Sequence, residues 1–258
     1  MCGRYATTRT TAGLNQAFEA DLVAIDGELE PDYNLAPTKT APIVIGRRPD
    51  DLAPDAPAQR ELTVARWGLV PSWAKDPKIG NRLINARSET LAEKPAFRRA
   101  FASRRTLVPA DGYFEWYATD DLDAKGKPRK QPFFIRPRDG SVMAMAGLHE
   151  FWKDPSTDEW LLSYTIITTS AEDSLGHLHD RMPLMVAPEA WDDWLDPAPR
   201  PTGELLELLT PAAPGRLDAY PVATAVNNVR NNGPELLDPV ATHPDAGEDD
   251  GGHDDGAE

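Results

Sequence analysis

The sequence predicts an α+β fold: a single domain built around a largely antiparallel, barrel-like β-sheet with short peripheral helices. Three observations carry that expectation. Strand-like runs outnumber helical ones and follow one another along the chain. The helical stretches between them are short and show no regular βαβ alternation. No internal repeat and no shift in composition interrupts the chain before about residue 240. Residues 1–240 are therefore expected to form one domain, and 241–258 an acidic disordered tail.

Each element has a local reason. Thr11 to Ala20 reads as a short helix with Leu14, Ala17 and Phe18 on one face. "APIVIGR" and "ELTVARWGLV" read as strands, separated by the polar, proline-rich surface loop "RRPDDLAPDAPAQR". The turn-forming "PSWAKDPKIG" follows, and "LINARSE" is a strand or an extended loop. "EKPAFRRAFAS" reads as a helix. "TLVPADGYFEWYA" and "QPFFIRP" read as strands of one hairpin, joined by the charged "TDDLDAKGKPRK". "VMAMAGLHEFW" and "LLSYTIITTS" are two further strands. "AEDSLGHLH" reads as a short helix that Ser170 is placed to cap. "PLMVAP" is a strand, "PEAWDDWLD" and "TGELLELLT" are helices, and "DAYPVATAVN" is a late strand.

Composition excludes several function classes. No apolar run approaches the ~20 residues that cross a bilayer, so no membrane role is expected. No basic stretch followed by an apolar one opens the chain, and a soluble, cytoplasmic monomer is the default expectation. A single cysteine rules out an internal disulfide and any multi-cysteine metal site. The formal charge of −15 argues against nucleic acid when taken alone. Two features weaken that objection. The terminal "DAGEDDGGHDDGAE" holds seven of the acids, and arginines outnumber lysines by 19 to 8. An acidic, lysine-poor surface suits a protein that stays soluble in concentrated salt.

The lone cysteine stands second, in "MCGRY". Its plain reading is a small buried apolar residue. Its chemical reading is stronger, because removal of Met1 leaves an amine and a thiol on adjacent carbons. The amine would titrate near ~7.7–8.0 and the thiol near ~8.5, so both are partly nucleophilic at neutral pH. Two chemistries use the pair. The thiol attacks an amide with the amine as base, or the amine condenses with an aldehyde and the thiol closes a five-membered thiazolidine. No internal cysteine forms that ring.

Acid–base partners are scarce. In "DGYFEWY" the period-2 alternation puts Tyr113, Glu115 and Tyr117 on one strand face and Phe114 and Trp116 on the other. A covered Glu115 between aromatic neighbours would hold its proton at neutral pH; otherwise it is a strand glutamate facing water. His179 in "GHLHDRMP" stands at a helix-to-strand junction, placed either for proton transfer or to satisfy helix carbonyls. In "NRLINARSE", Asn85 and Arg87 share a face if the segment is extended, offering an amide and a phosphate-binding fork, or else loop capping and a surface ion pair. Trp67 and Trp73 in "RWGLVPSW" stack on bases if exposed and are core if buried.

These segments together resemble the SOS response-associated peptidase (SRAP) family, the abasic-site processing proteins. The resemblance runs in order through "MCGRY", "YNLAPT", "RWGLVPSWAKD", "INARSET", "EKPAFR", "LVPADGYFEW", "KQPFFI", "HDRMPLMV" and "VNNVRNNGPEL", to about Val240. One departure is Thr106, where the family often has a cysteine without catalytic role. The resemblance implies an α+β fold around a barrel-like sheet, no cofactor and no metal. It implies a protein that recognises an abasic site in single-stranded DNA and becomes covalently attached to it. It makes Cys2 the nucleophile, Glu115 the acid–base carboxylate, and His179 the histidine that assists opening of the deoxyribose. Asn85 lines the pocket beside Cys2, and Arg87 meets the phosphate. Segment membership adds Arg4, Arg98, Trp67 and Asn34 as DNA-binding candidates. A covalent trap also eases the charge problem, because the bond rather than salt-sensitive phosphate contacts holds the complex. The alternatives are a cysteine peptidase or amidohydrolase, including one that removes only its own Met1, and a non-catalytic single-strand binder in which Cys2 is idle.

Overall fold

The computed structural model describes residues 2–49, 56–171, 175, 178–209 and 215–240. In chain order its elements are β1 (Tyr5–Thr7), α1 (Thr11–Phe18), β2 (Leu22–Ala24), β3 (Asp32–Leu35), β4 (Thr40–Arg47), β5 (Gln59–Trp67) and β6 (Asn85–Arg87). Then come α2 (Arg98–Ser103), β7 (Arg105–Ala110), β8 (Gly112–Leu122), β9 (Pro128–Pro137), β10 (Met143–Lys153) and β11 (Trp160–Ser170). The series ends with β12 (Arg181–Pro183), α3 (Trp191–Leu195), α4 (Thr202–Glu207) and β13 (Leu217–Pro221). The α+β expectation holds.

Strands β4, β5, β7, β10 and β11 close on themselves. Four of the five contacts around that ring are antiparallel, and the last, β11 to β5, is parallel. Alternate residues of these strands serve two cores. Val44, Leu62, Leu107 and Leu148 pack with Leu14 and Phe18 of α1, Phe101 of α2, Trp194 of α3 and Leu205 of α4. Ile43, Ala65, Val108 and Tyr164 pack with Cys2, Tyr5 and Tyr113. A second sheet, ordered β13-β9-β8-β1-β3, lays Tyr5 and Tyr113 against that second core. Its other face carries Ala6, Phe114 and Phe134 against Val222, Val226 and Leu236. The alternation read in "DGYFEWY" is thus borne out, residue by residue.

Several boundaries differ from the sequence reading. "TLVPADGYFEWYA" is two strands in two sheets, β7 in the barrel and β8 in the open sheet. The break is at Asp111, whose carboxylate accepts from Thr8 N, Thr8 Oγ1 and Arg9 Nε. Gly112 follows because a Cβ there would lie 2.5 Å from the Ile135 carbonyl. "EKPAFRRAFAS" is helical only from Arg98, since Lys94 precedes a proline and is steered away from helix. "PLMVAP" is not one strand. β10 and β11 part beyond Gly147 and Ile166, and residues 184–186 wedge between them, with Leu184 N on Ile167 O and Val186 N on Ala144 O. "DAYPVATAVN" is strand only to Pro221. The proline-rich loop is a hairpin connection, as Arg47 pairs with Gln59; its residues 50–55 lie outside the described residues, as do Met1, most of the "AEDSLGHLH" helix and the tail 241–258.

One close approach sets the geometry around β6. β5 leaves β11 at Gly68, which has φ +117 and donates its N–H to Tyr164 O. The chain then makes an excursion and returns so that Ile84 O accepts from Ile166 N and β6 pairs with β11 in parallel. The neck of the excursion is Gly68 against Gly80: a Cβ on Gly80 would lie 2.4 Å from Gly68 O. Gly80→Ala should therefore destabilise the fold by about 1–3 kcal/mol through overpacking, read as a lowered urea midpoint, whereas Gly27→Ala, with open space around it, should cost less despite its φ of +80.

A second expectation concerns acid. His149 on β10 is buried with no described partner for Nδ1. Burial, with Arg104 adding positive charge, pushes it down to about 3. An unfolded histidine titrates near ~6.5. Below that pH the unfolded chain binds a proton that the folded chain refuses, so this contribution is intact above ~6.5 and is lost as pH falls toward about 3. The slope is at most about 1.4 kcal/mol per pH unit. His149→Leu should flatten the fall in unfolding free energy between pH 6.5 and 4, measured by urea titration.

Candidate active site

Cys2 is fully buried in the core that also holds Tyr5, Trp67, Tyr113 and Tyr164. Its carbonyl accepts a 2.7 Å hydrogen bond from Asn85 Nδ2. Asn85 opens β6, which lies on the edge of β11 with Asn85 opposite Ile166 and Arg87 opposite Thr168. The extended conformation leaves Asn85 half-buried, Ala86 buried and Arg87 exposed. No described group meets the buried Asn85 Oδ1.

Glu115 stands on the Tyr113 face of β8 and is 4% exposed. Burial raises its pKa, while the charges of the chain's amino terminus and His179 pull it back. Burial likewise pushes the Cys2 thiol well up, and the negative charge of Glu115 adds to the effect. Those couplings put Cys2, Glu115 and His179 in one electrostatic neighbourhood. Tyr5 and Tyr164 share a 2.5 Å hydroxyl contact in the same core, and burial keeps both phenols protonated.

His179 precedes β12, which takes the other edge of the β11 end, Arg181 opposite Ser170. Its Nδ1 lies 2.9 Å from the Arg181 backbone N and 2.8 Å from Asp180 Oδ1. The two neighbours suit opposite protonation states. Neutral, Nδ1 accepts from the Arg181 N–H and the ring proton sits on Nε2; protonated, Nδ1 pairs with Asp180. Arg181 was not singled out in the sequence. Its guanidinium crosses the end of β11 to grip Glu89 at 2.5 and 3.0 Å and donates to Thr168 O at 2.6 Å. Its position two residues after His179 was the available signal.

The remaining candidates divide. Trp67 is buried, donates Nε1 to Ile84 O and packs edge-on to Tyr5; it is a core residue, not a stacking surface. Trp73 is the exposed member of the pair, at 59%. Asn34 is also buried, and its Nδ2 faces the carbonyls of Val226, Asn228 and Asn231 at 3.0–3.2 Å. Its Oδ1 accepts from Arg4 Nη1 at 2.6 Å. Arg4 is committed as well, donating to Val226 O and lying 5.7 Å over the Trp116 ring. Arg4 and Asn34 therefore tie the 226–231 segment to the start of β1 and to β3; Asn34, fully buried, presents no surface to DNA, while Arg4 is half-buried. Arg98 is exposed on the first turn of α2, a helix packed on β7 and β10.

This arrangement couples a buried thiol to a carboxyl group whose pKa burial raises, and couples that carboxyl to the His179 imidazole. Among the described residues, no group of three or more His, Cys, Asp or Glu is placed to hold a metal, and no helix is long and apolar enough to cross a membrane.

Comparison with known proteins gives a consistent picture. The model of the SOS response associated peptidase (SRAP) family matches residues 1–229. The abasic site processing protein YoqW of Bacillus subtilis (strain 168) is 37% identical over 238 residues, covering 92% of this chain and 99% of its own. The abasic site processing protein HMCES of Gallus gallus is 33% identical over 272 residues, covering 93% of this chain and 78% of its own. Among solved structures, a protein from Bacteroides thetaiotaomicron superposes with TM-score 0.76 at 24% identity, over 93% of this chain and 100% of that one. A phage-related protein from Bordetella bronchiseptica superposes with TM-score 0.62 at 28% identity, over 86% of this chain and 94% of that one.

The role found for Asn34 has a direct test. Asn34→Ala strands three backbone carbonyls and the Arg4 guanidinium, and should cost about 2–3 kcal/mol of unfolding free energy. A DNA-contacting asparagine would instead lower DNA affinity with the urea midpoint unmoved.

Proposed function

Because this chain belongs to the SOS response associated peptidase (SRAP) family, we propose that it captures abasic sites in single-stranded DNA as a thiazolidine on Cys2, after Met1 is removed. The observation that carries this reading is the coupling of fully buried Cys2 to Glu115, whose pKa burial raises and which is itself coupled to His179. With Met1 attached, the Cys2 nitrogen is an amide whose lone pair is delocalised into a carbonyl. Removing Met1 frees the amine.

The reaction follows from the groups present. The abasic sugar rests as a closed hemiacetal; His179 and Glu115 move protons to open it to the C1′ aldehyde. The Cys2 amine adds to C1′, Glu115 protonates the departing hydroxyl, and water leaves to give the imine. The Cys2 thiol then adds to the imine carbon, a carbon–sulfur bond forms, and the thiol proton passes to the nitrogen. A thiol kept protonated by burial fits this order, since the amine attacks first and the thiol gives up its proton during ring closure. β-Elimination of the 3′ phosphate competes from the imine and is stopped by the ring, so the strand stays intact. Asn85 holds the Cys2 carbonyl and fixes the cysteine backbone, and Arg87 at the rim takes a backbone phosphate.

The experiment is direct. An oligonucleotide containing uracil is treated with uracil-DNA glycosylase and mixed with the protein; a heat-tolerant, SDS-stable shifted band is expected. Intact mass of the active protein should read one methionine short, with the adduct on the new N-terminus. Cys2→Ser should abolish the stable adduct, because a hydroxyl closes the ring far less well than a thiol. A full-yield adduct from Cys2→Ser, or from protein retaining Met1, overturns the thiazolidine. Glu115→Gln should slow adduct formation by about 10²–10⁴ with non-covalent DNA binding little changed.

A further inference from the structure

Among the described residues, the core around Cys2 holds one buried hydrogen without an acceptor. Tyr5 opens β1 in the open sheet, and Tyr164 lies on β11 of the barrel, opposite Trp67. Their hydroxyls meet at 2.5 Å between the two sheets, and both side chains are fully buried. Trp67 braces the pair, edge-on to Tyr5 at 5.2 Å between ring centroids and stacked on Tyr164 at 6.4 Å. Two phenols in contact satisfy only one of their two hydrogens, because one donates and the other accepts. Neither phenol makes a second hydrogen bond among the described residues. A buried O–H left in this way is costly, and a group that accepts from it is held strongly. Two groups outside the pair act electrostatically on both phenols, Cys2 and Asp32. The Asp32 carboxylate is already engaged on both oxygens, by Asn34 N at 2.9 Å and Lys39 Nζ at 2.6 Å. Cys2 has capacity left. Its thiol hydrogen faces Arg4 O at 3.9 Å, and no described donor meets the sulfur lone pairs.

We propose that the Tyr5–Tyr164 hydroxyl pair donates a hydrogen bond to the Cys2 sulfur during closure of the thiazolidine ring. The inference rests on the thiazolidine reading of the Cys2 site. In that step the thiol gives up its proton, the carbon–sulfur bond forms, the imine π electrons move to nitrogen, and the proton ends on that nitrogen. Negative charge gathers on sulfur as the proton leaves, in a core where burial opposes it. A phenol hydrogen directed at the sulfur stabilises that charge without itself being transferred. Burial keeps both phenols protonated, so the donor is present throughout. The first hydroxyl polarises the second, which strengthens the outer bond. Both rings are fixed against Trp67, so the donor is in place before charge develops. On reversal the same hydrogen meets the sulfur as the carbon–sulfur bond breaks. Attack of the Cys2 amine on C1′ does not involve the sulfur, so imine formation is independent of the pair.

The test uses the mature full chain and an oligonucleotide with a true abasic site. It compares wild type, Tyr5→Phe, Tyr164→Phe, the double variant, and the control Tyr220→Phe, whose hydroxyl donates to Leu237 O at the other face of the open sheet. One gel reads two products, the SDS-stable adduct and the strand cleaved by β-elimination from the imine. A parallel sample reduced with borohydride reads imine formation. Imine formation should match wild type in every variant. The ratio of cleaved strand to stable adduct should rise about ten- to a hundredfold in the double variant, the effect of one hydrogen bond to a charged group. The double variant should be no worse than the more affected single variant, and Tyr220→Phe should match wild type. Each single variant keeps its ring in the core and carries the same test if the double variant does not fold. An unmoved ratio overturns the proposal, and a lowered urea midpoint beside it marks the pair as packing alone. A wild type that forms no stable adduct overturns the Cys2 reading and the proposal with it; a stable wild-type adduct with an unmoved ratio in the variants removes the pair and leaves that reading standing.

Discussion

The architecture around the site depends on a contact between two glycines. Gly68 and Gly80 touch backbone to backbone, with no room for a Cβ on either. That neck lets β5 release the edge of β11 and lets β6 take up the same edge a few residues further on. One consequence is that Asn85 arrives at the Cys2 carbonyl. Another is that the residues between the glycines leave the strand order yet stay packed on the barrel, Leu69 in the first core and Val70 and Ala74 against Trp152 of β10. β11 is the hub, since β5 and β6 lie along one edge and β10 and β12 along the other.

The site is built by burial more than by fixed charge. Glu115 is pushed toward its neutral form by desolvation, and the same desolvation holds the Cys2 thiol protonated. Desolvation thus favours the neutral form of both groups. His179 adds a group whose Nδ1 has a partner in either protonation state. The Arg181–Glu89 pair closes the rim across the end of β11.

The amino-terminal segment is secured from the opposite end of the chain. Asn34 and Arg4 gather the carbonyls of the 226–231 segment, and Trp116 caps Arg4 while donating to Asn227. Residues 222–237 thereby cover the outer face of the open sheet. These contacts hold the residues that follow Cys2 in place.

The sequence by itself determined the α+β class, the face alternation of Tyr113, Phe114, Glu115 and Trp116, and the extended form of Asn85–Arg87. Those properties follow from local periodicity, which a chain carries wherever it folds. It also determined the chemistry on offer, since residue types are fixed before any contact forms. Tertiary structure alone decided the rest. Whether Trp67 or Trp73 faces solvent turned on core packing, in which Trp67 meets Tyr5 and Tyr164. That Asn34 serves the fold turned on carbonyls nearly two hundred residues away, whose demand for donors no local pattern announces. The break at Asp111 was equally hidden, because a strand run that changes sheets keeps its period while its partners change.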